Sequence, residues 1–155
     1  MAYWDTSALV KLYTPEADSP YFMKLAARSE EPISSSAITV VEIVSAAWRK
    51  ELAGSLQPGG ARVAAQRYLD DCGAGRIVAI PYGEDVVTAV LDVVRLAYSA
   101  PKPVPIRAAD AIHLASARVG GARAVVATDA RLRALAGLMQ FELLPPVALS
   151  GGIQL

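Results

Sequence analysis

Short apolar segments alternate with longer amphipathic segments along almost the whole chain, and this alternation restricts the fold more than any other feature of the sequence. The longer segments carry apolar residues at helical spacing, whereas the short ones have the length of buried strands. Strands that alternate with helices in this way form a parallel sheet whose faces are both covered by helices. The sequence therefore predicts an α/β fold with right-handed connections between strands.

The pattern predicts five strands and seven helices within one domain. The strands are Ala2–Trp4, Pro32–Ser35, Arg76–Ile80, Ala124–Ala127 and Phe141–Leu144. The helices are Ser7–Tyr13, Ser19–Arg28, Thr39–Leu52, Arg62–Cys72, Glu84–Tyr98, Arg107–Val119 and Ala130–Ala136. The chain has 155 residues and no interdomain linker, so residues 1–155 are predicted to form a single domain. The proline-rich stretch Pro101–Pro105 is typical of a stiff loop.

Composition excludes several classes of protein. No apolar run is long enough to span a bilayer, and the first residues lack the basic region of a signal peptide, so we expect a cytoplasmic protein with no membrane partner. A single cysteine, Cys72, excludes an internal disulfide, and one cysteine with one histidine argues against a zinc site. The hydrophobic fraction of 54% is rich for a soluble monomer and favours a protein interface.

Net charge gives no sign of nucleic-acid binding. The chain has 15 Lys and Arg residues against 15 Asp and Glu residues, so its overall field does not attract RNA or DNA. Six bases lie in the same predicted elements as Asp5, Glu42, Asp110 and Asp129, or close to these four acids in the sequence: Lys11, Arg49, Lys50, Arg107, Arg131 and Arg133. A local basic rim and a set of scattered solvated charges are both compatible with these positions.

Four acids differ from the others because their surroundings are apolar or because they end a strand. Asp5 follows the first predicted strand and Asp129 follows the fourth, whereas Glu42 and Asp110 lie near the amino ends of two helices. In a parallel sheet the carboxyl ends of strands and the amino ends of the following helices share one edge. Four carboxylates at that edge would repel one another unless they were protonated or bound a hard divalent cation.

Each of these acids also has a purely structural interpretation. Asp5 and Asp129 are in position to cap the helices that follow them. Thr39 and Glu42 fit the capping-box pattern, in which a threonine and a glutamate three residues later satisfy backbone donors. Asp110 would interact favourably with the dipole of its helix.

The motifs that contain these acids resemble those of a known family. The segment YWDTSALVKLY, residues 3–13, resembles the opening of PIN-domain proteins, in particular the VapC-type toxins of toxin–antitoxin pairs. The later acidic motifs of the family are similar to TVVEI at 39–43, ADAIHLASA at 109–117 and TDARL at 128–132. The order and spacing of these motifs cover nearly the whole chain.

The resemblance implies both an architecture and an activity. The implied fold is an α/β/α sandwich with a five-stranded parallel sheet in the order 3-2-1-4-5. The implied activity is Mg²⁺- or Mn²⁺-dependent cleavage of RNA, often by a homodimer, together with a cognate antitoxin that wraps the toxin and blocks its site.

The resemblance also implies a role for each acid. Asp5 and Asp110 would be the main metal ligands, and Asp129 would complete the site directly or through water. Glu42 would bind a second ion or orient the attacking water. The hydroxyls of Thr6 and Ser7 would hold the metal or its ligands, although ordinary first-turn helix residues fit these two positions equally well.

The lone histidine, His113, is predicted to be structural and to lie outside the acid cluster, where it would bond the backbone or a nearby side chain. An RNase that works without metal commonly pairs two histidines as acid and base. This chain has only one histidine, so the sequence favours metal-dependent chemistry.

Other phosphate enzymes on parallel sheets fit less well. A haloacid-dehalogenase phosphatase needs a second aspartate two residues after the first, where this chain has Ser7. A phosphoacceptor receiver domain needs a lysine late in the chain, but the last lysine is Lys102. A non-catalytic module of the same fold, which keeps a cation site and acts through a partner, remains an alternative.

Overall fold

The structure is a computed structural model that describes residues 1–146. Its strands are β1 (Ala2–Trp4), β2 (Ile33–Ser36), β3 (Ile77–Ile80), β4 (Ala124–Val126) and β5 (Glu142–Leu144). Its helices are α1 (Thr6–Leu9), α2 (Ser19–Ala27), α3 (Thr39–Leu52), α4 (Gly60–Gly73), α5 (Glu84–Ser99), α6 (Ala108–Val119) and α7 (Ala130–Leu138), and a 3₁₀ turn (Val10–Leu12) follows α1. Residues 147–155 of the predicted domain lie outside the described residues.

The five strands form one parallel sheet in the order β3-β2-β1-β4-β5, which confirms the predicted topology. β1 lies at the centre, between β2 and β4, with Tyr3 opposite Ser34 on one side and Val125 on the other. Within residues 1–146, no helix has both the length and the apolar character that crossing a membrane requires.

Helices cover both faces of the sheet because successive side chains of each central strand point in opposite directions. Tyr3 and Val125 belong to a core on one face, packed against α5, α6 and α7. Trp4 and Val126 belong to a second core on the other face, packed against α1, α2, α3 and α4. The fold is therefore an α/β/α sandwich, as the family resemblance implied.

The first helix is shorter than predicted. Its predicted range was Ser7–Tyr13, but α1 begins at Thr6 and gives way to the 3₁₀ turn after Leu9. The early start has a local cause, because the carboxylate of Asp5 accepts the Ser7 N–H at 3.0 Å and so caps the helix.

Strand β2 has an unusual composition for a strand inside a sheet, since three of its four residues are serines. The Ser34 hydroxyl donates to the Ala2 carbonyl at 3.1 Å, and the Ser35 hydroxyl donates to the Trp4 carbonyl at 2.7 Å. These bonds satisfy buried hydroxyls that would otherwise cost free energy. The predicted range Pro32–Ser35 was one residue too early, because Ser36 still pairs with Ile80 of β3.

Helix α6 should make a large contribution to stability because it packs against the sheet and against helices α5 and α7. The side chain of Leu114 is fully buried. We expect Leu114→Ala to lower the free energy of unfolding by about 2–5 kcal/mol, since it deletes buried methyl groups and leaves a cavity. Leu52→Ala is the matched control, because Leu52 is 91% exposed, and its effect should stay within about 0.5 kcal/mol. Urea unfolding followed by circular dichroism measures both; equal effects would contradict the prediction.

Candidate active site

The four predicted acids lie together at the carboxyl edge of the sheet. Asp5 follows β1, Glu42 and Asp110 lie in the first turns of α3 and α6, and Asp129 caps α7. They line one cleft of about 340 Å³. The complete lining is Asp5, Thr6, Ser7, Glu42, Ala46, Arg49, Arg107, Ala109, Asp110, His113 and Asp129. A cleft of about 370 Å³ elsewhere on the molecule contains none of the four predicted acids.

Asp5 and Asp129 cap helices and face the cleft at the same time. One carboxylate oxygen of Asp129 accepts the backbone N–H groups of Arg131 and Leu132, at 2.9 and 3.1 Å. Burial opposes ionisation of Asp129, but these two N–H groups and the charge of Arg107 outweigh it and lower the pKa of the carboxyl. Each acid uses a single oxygen as the cap, so the structural interpretation does not exclude a functional one.

Glu42 is not the second member of a capping box. Helix α3 takes Ile38 as its N-cap residue, and the Thr39 hydroxyl bonds the Ser35 hydroxyl at 2.8 Å. The carboxylate of Glu42 instead accepts the Thr6 hydroxyl and lies 2.7 Å from Nε2 of His113. The capping-box interpretation is therefore wrong, and Glu42 belongs to the acid cluster.

His113 lies inside the cluster, so the prediction that it drops out of the site is wrong. It does bond nearby side chains, as expected, but its Nε2 contacts Glu42 and lies 3.5 Å from Asp5 Oδ1. Its Nδ1 lies 2.6 Å from the buried Tyr3 hydroxyl. The signal for this placement was present in the sequence, since His113 and Asp110 are three residues apart and hence neighbours on one helix.

The pKa values of His113 and Glu42 shift in opposite directions. Burial alone would lower the pKa of His113, but the bond to Glu42 and the charges of Asp5, Glu42 and Asp110 outweigh it and raise the pKa. Burial alone would raise the pKa of Glu42, but the bonds from His113 and Thr6 outweigh it and lower the pKa. Both shifts favour an imidazolium–carboxylate pair.

Arg107 joins the other two acids of the cluster. Its backbone N–H donates to Asp110 Oδ2 at 3.0 Å, and its guanidinium contacts both Asp110 oxygens at 3.2 Å. The same guanidinium reaches Oδ2 of Asp129 at 2.8 Å. Arg107 was expected either in a basic rim or as a solvated charge, although its spacing of three residues from Asp110 is typical of a helical ion pair.

Several of the bases that could have formed a basic rim are bonded to other groups of the protein. Lys11 and Lys50 both pair with Glu16, and the buried guanidinium of Arg133 donates to backbone carbonyls at the ends of β4 and β5. Of the two alternatives that the sequence left open, a basic rim and scattered solvated charges, these contacts do not support the rim for these three bases. Arg49 does line the cleft, where its guanidinium donates to the Ser45 hydroxyl at 2.7 Å.

Thr6 and Ser7 position the segments that carry the acids. The Thr6 hydroxyl donates to Glu42, which links α1 to α3. The Ser7 hydroxyl accepts the Thr128 N–H at 2.9 Å, which links α1 to the loop before Asp129. These contacts give both hydroxyls a structural role.

The donor chemistry of the cleft fits a hard divalent cation. Four carboxylates supply only oxygen ligands, which Mg²⁺ and Mn²⁺ prefer. In the part of the chain that the structure describes, however, no three acids, histidines or cysteines are close enough to hold an ion together. The arrangement explains this spacing, because Arg107 lies between Asp110 and Asp129 while His113 lies against Glu42 and Asp5. The residues therefore suit a metal, and their side chains would have to move closer to bind one.

The fold and the acidic cleft define a class of α/β proteins with a carboxylate site at the sheet edge, and comparison with known proteins identifies the family. The family model for the PIN domain matches residues 2–138. The chain therefore belongs to the PIN domain family. No curated protein sequence gives a significant match.

Solved structures with the same fold include a protein described as a toxin and two structures of Fit proteins. The chain is similar to Mycobacterium tuberculosis VapC20, described as a toxin that cleaves the sarcin–ricin loop, with a TM-score of 0.63, 17% identity, and coverage of 86% of this chain and 94% of that one. It is also similar to FitAB bound to a DNA fragment, with a TM-score of 0.62, 20% identity, and coverage of 93% and 94%. For FitAcB from Neisseria gonorrhoeae the values are 0.61, 20%, 92% and 96%.

The His113–Glu42 pair should make stability depend on pH in a specific direction. Folding raises the pKa of His113, so its contribution is complete below the unfolded value of about 6.5 and is lost as the pH rises through the folded value. We expect His113→Gln, measured in EDTA, to destabilise the protein by about 1–3 kcal/mol at about pH 6 and by less at about pH 9. Glu42 has a lowered pKa, so the pair persists at about pH 6.

Urea unfolding of wild type and variant at both pH values measures this difference. The chain has no second histidine to obscure the result. A destabilisation that is the same at both pH values, or larger at the higher one, would show that His113 is uncharged in the folded protein.

Proposed function

We propose that the protein is a metal-dependent endoribonuclease and the toxin of a VapBC-like toxin–antitoxin pair. The observation that carries the proposal is the convergence of Asp5, Glu42, Asp110 and Asp129 from four separate elements on one open cleft. Membership of the PIN family and similarity of fold to VapC20 and FitAB support it. The substrate is RNA, and the products carry 5′-phosphate and 3′-hydroxyl ends.

Three of the acids are proposed to hold Mg²⁺ or Mn²⁺. Asp5 and Asp110 are the main ligands, and Asp129 completes the site directly or through a water. A divalent ion bound there would supply a water of lowered pKa and would offset negative charge on the phosphate during in-line displacement. The caps that fix Asp5 and Asp129 use one oxygen of each carboxylate. The other oxygen of Asp129 accepts the Arg107 guanidinium, which a metal ion would have to replace.

Glu42 is proposed to orient the attacking water or to bind a second ion. The Thr6 hydroxyl and His113 Nε2 both contact Oε2 of the Glu42 carboxylate, so the direction of this side chain is set before substrate arrives. His113 is in turn held by the Tyr3 hydroxyl. This chain of contacts makes His113 a positioning residue for Glu42.

The first test is the nuclease activity of Asp5→Asn. Asparagine also caps helices well, so the bond to the Ser7 N–H and the fold should survive. The lost charge should reduce cleavage by more than about 100-fold, which exceeds the typical effect of removing an outer partner of a metal ligand. Cleavage of labelled cellular RNA by purified protein in Mg²⁺ or Mn²⁺ measures the loss, and EDTA should abolish the wild-type activity.

The matched control is Asp70→Asn, because Asp70 is an exposed acid of α4 whose carboxylate accepts a bond from the Gln66 amide, away from the cleft. It removes the same charge and should leave cleavage unchanged. Full activity of Asp5→Asn, or wild-type cleavage that persists in EDTA, would overturn the proposed mechanism. Mapping of new 5′ ends in cellular RNA after brief induction would identify the target.

A second candidate function is a non-catalytic PIN module that acts only through a partner. One observation favours it: Arg107 and His113 already compensate the acids with charges from the chain itself. Induction of Asp5→Asn without a partner separates the two. Growth arrest by wild type alone supports the nuclease, whereas equal arrest by both proteins supports the module.

The proposed antitoxin would cover the exposed apolar stripe of α3. This stripe consists of Val41, Trp48 and Leu52, which share one face of the helix. It adjoins the face from which Glu42 and Arg49 line the cleft. A partner that packs on the stripe would therefore also block access of RNA to the acids.

The predicted homodimer would use a different helix face. The α5 stripe consists of Val87, Leu91, Val94 and Tyr98, four exposed apolar residues at heptad-like spacing. We expect Leu91→Glu to convert a dimer to a monomer, because a charge in a desolvated interface is costly. Leu52→Glu, which alters the α3 stripe, should leave the mass unchanged.

Light scattering coupled to size exclusion gives the mass of each variant at several protein concentrations. A dimer that Leu52→Glu dissociates while Leu91→Glu does not would place the dimer interface on α3. A wild-type protein that is monomeric at all concentrations would contradict the predicted dimer.

A further inference from the structure

The guanidinium of Arg107 occupies the space between two acids to which the proposed function assigns the metal. It contacts both oxygens of Asp110 at 3.2 Å and Oδ2 of Asp129 at 2.8 Å. A guanidinium with nitrogen–oxygen contacts near 3 Å holds the two carboxylates farther apart than magnesium does, since Mg²⁺–oxygen distances are about 2.0–2.1 Å. The two cations therefore cannot occupy this space together.

The environment of Arg107 allows it to leave. Its side chain is 56% exposed, whereas the side chain of Asp110 is 6% exposed and that of Asp129 is 25% exposed. The guanidinium of Arg107 is already largely hydrated, so it loses little free energy when it moves into water. Ion pairs that involve an exposed side chain contribute little to stability. The bond that closes the amino end of α6 runs from the backbone N–H of Arg107 to Asp110 Oδ2, so the Arg107 side chain can move without breaking it.

Arginine suits this place because its charge does not depend on pH. A guanidinium stays protonated at any pH that the protein tolerates, and the contacts with Asp110 and then Asp129 raise the pKa of Arg107 further. Deprotonation of Arg107 therefore does not remove the positive charge from the two acids, whereas a competing cation can replace it.

We propose that Arg107 is a displaceable internal counter-cation, which neutralises Asp110 and Asp129 in the metal-free protein and moves into solvent when a divalent ion binds. The proposal rests on the proposed function, because it takes these two acids as metal ligands. It has a direct consequence: the chain's own arginine lowers the apparent metal affinity, and removing that arginine raises it.

Titration of metal-free protein with Mn²⁺ by calorimetry tests this consequence without measuring activity. Arg107→Gln removes the competing cation while its backbone cap remains, so its Kd for Mn²⁺ should be about tenfold lower than that of wild type, as expected for the loss of two exposed ion pairs. Arg131→Gln is the matched control. It removes the same charge two residues from Asp129. Within residues 1–146 no hydrogen bond or salt bridge joins its guanidinium to the four acids, and its charge acts on Asp129 only at longer range, so its Kd should change much less than that of Arg107→Gln.

The outcomes separate this inference from the proposed function. Equal affinity of wild type and Arg107→Gln, or weaker binding by the variant, overturns the counter-cation alone. Equal tightening by both variants also overturns it, because general charge would then be the cause. If neither wild type nor Arg107→Gln binds Mn²⁺, the metal-dependent function fails as well.

A measurement on the unaltered protein keeps the test valid if Arg107→Gln does not fold. The ¹⁵Nε resonance of Arg107, assigned by its absence in Arg107→Lys, reports whether the guanidinium is bound. Saturation with Mg²⁺ should move it to the position of a solvent-exposed arginine. A resonance that does not move at saturating Mg²⁺ shows that the arginine stays in place and overturns the proposal.

Discussion

Electrostatic repulsion among carboxylates at the carboxyl edge of the sheet is the constraint on which this site depends. A parallel sheet brings strand ends and helix starts to one edge, and here it gathers four acids from positions 5 to 129. The fold itself compensates part of their charge. Helix amino ends present free N–H groups and a positive dipole end, and Asp5, Asp110 and Asp129 each accept backbone N–H donors there. The same geometry that creates the repulsion therefore reduces it.

Two cations of the chain compensate a further part of the charge, and they do so in different ways. His113 is buried and contacts Tyr3 and Glu42, so its half of the cluster is rigid. Arg107 is more than half exposed and reaches Asp110 and Asp129 from the solvent side, so its half can exchange. This division agrees with the proposed roles. A residue that orients water needs a fixed direction, whereas metal ligands need to accept a cation that arrives from solution.

The sequence predicted the backbone frame of the site better than its charge pairing. Asp5 and Asp110 were found because each lies at the end or start of a strongly patterned element, and the topology then brings those ends together. Periodicity does not reveal which side chains meet across elements. The contact between His113 and Glu42 joins α6 to α3 over 71 positions in sequence; helical spacing places His113 beside Asp110 but does not reveal that Glu42 of another helix meets it. Similarly, the position of Lys11 in the sequence left open both a basic rim and a solvated charge, yet Glu16 and Asp18 bind its buried ammonium group.

The contacts within the fold leave little free positive charge at the cleft, and this bears on RNA binding. Lys11, Lys50 and Arg133 are bonded within the fold and so contribute little at the cleft surface. Among the bases that line the cleft in residues 1–146, Arg107 is committed to two acids. A phosphate backbone approaching this cleft would meet carboxylates with little positive charge to attract it. A divalent ion in the proposed site would make the cleft more positive in two ways. It would add two positive charges, and it would release the guanidinium of Arg107 to face the phosphate. If the protein has the proposed function, metal loading and RNA binding would be coupled, and its nearly neutral net charge would be compatible with a ribonuclease that lacks a basic surface.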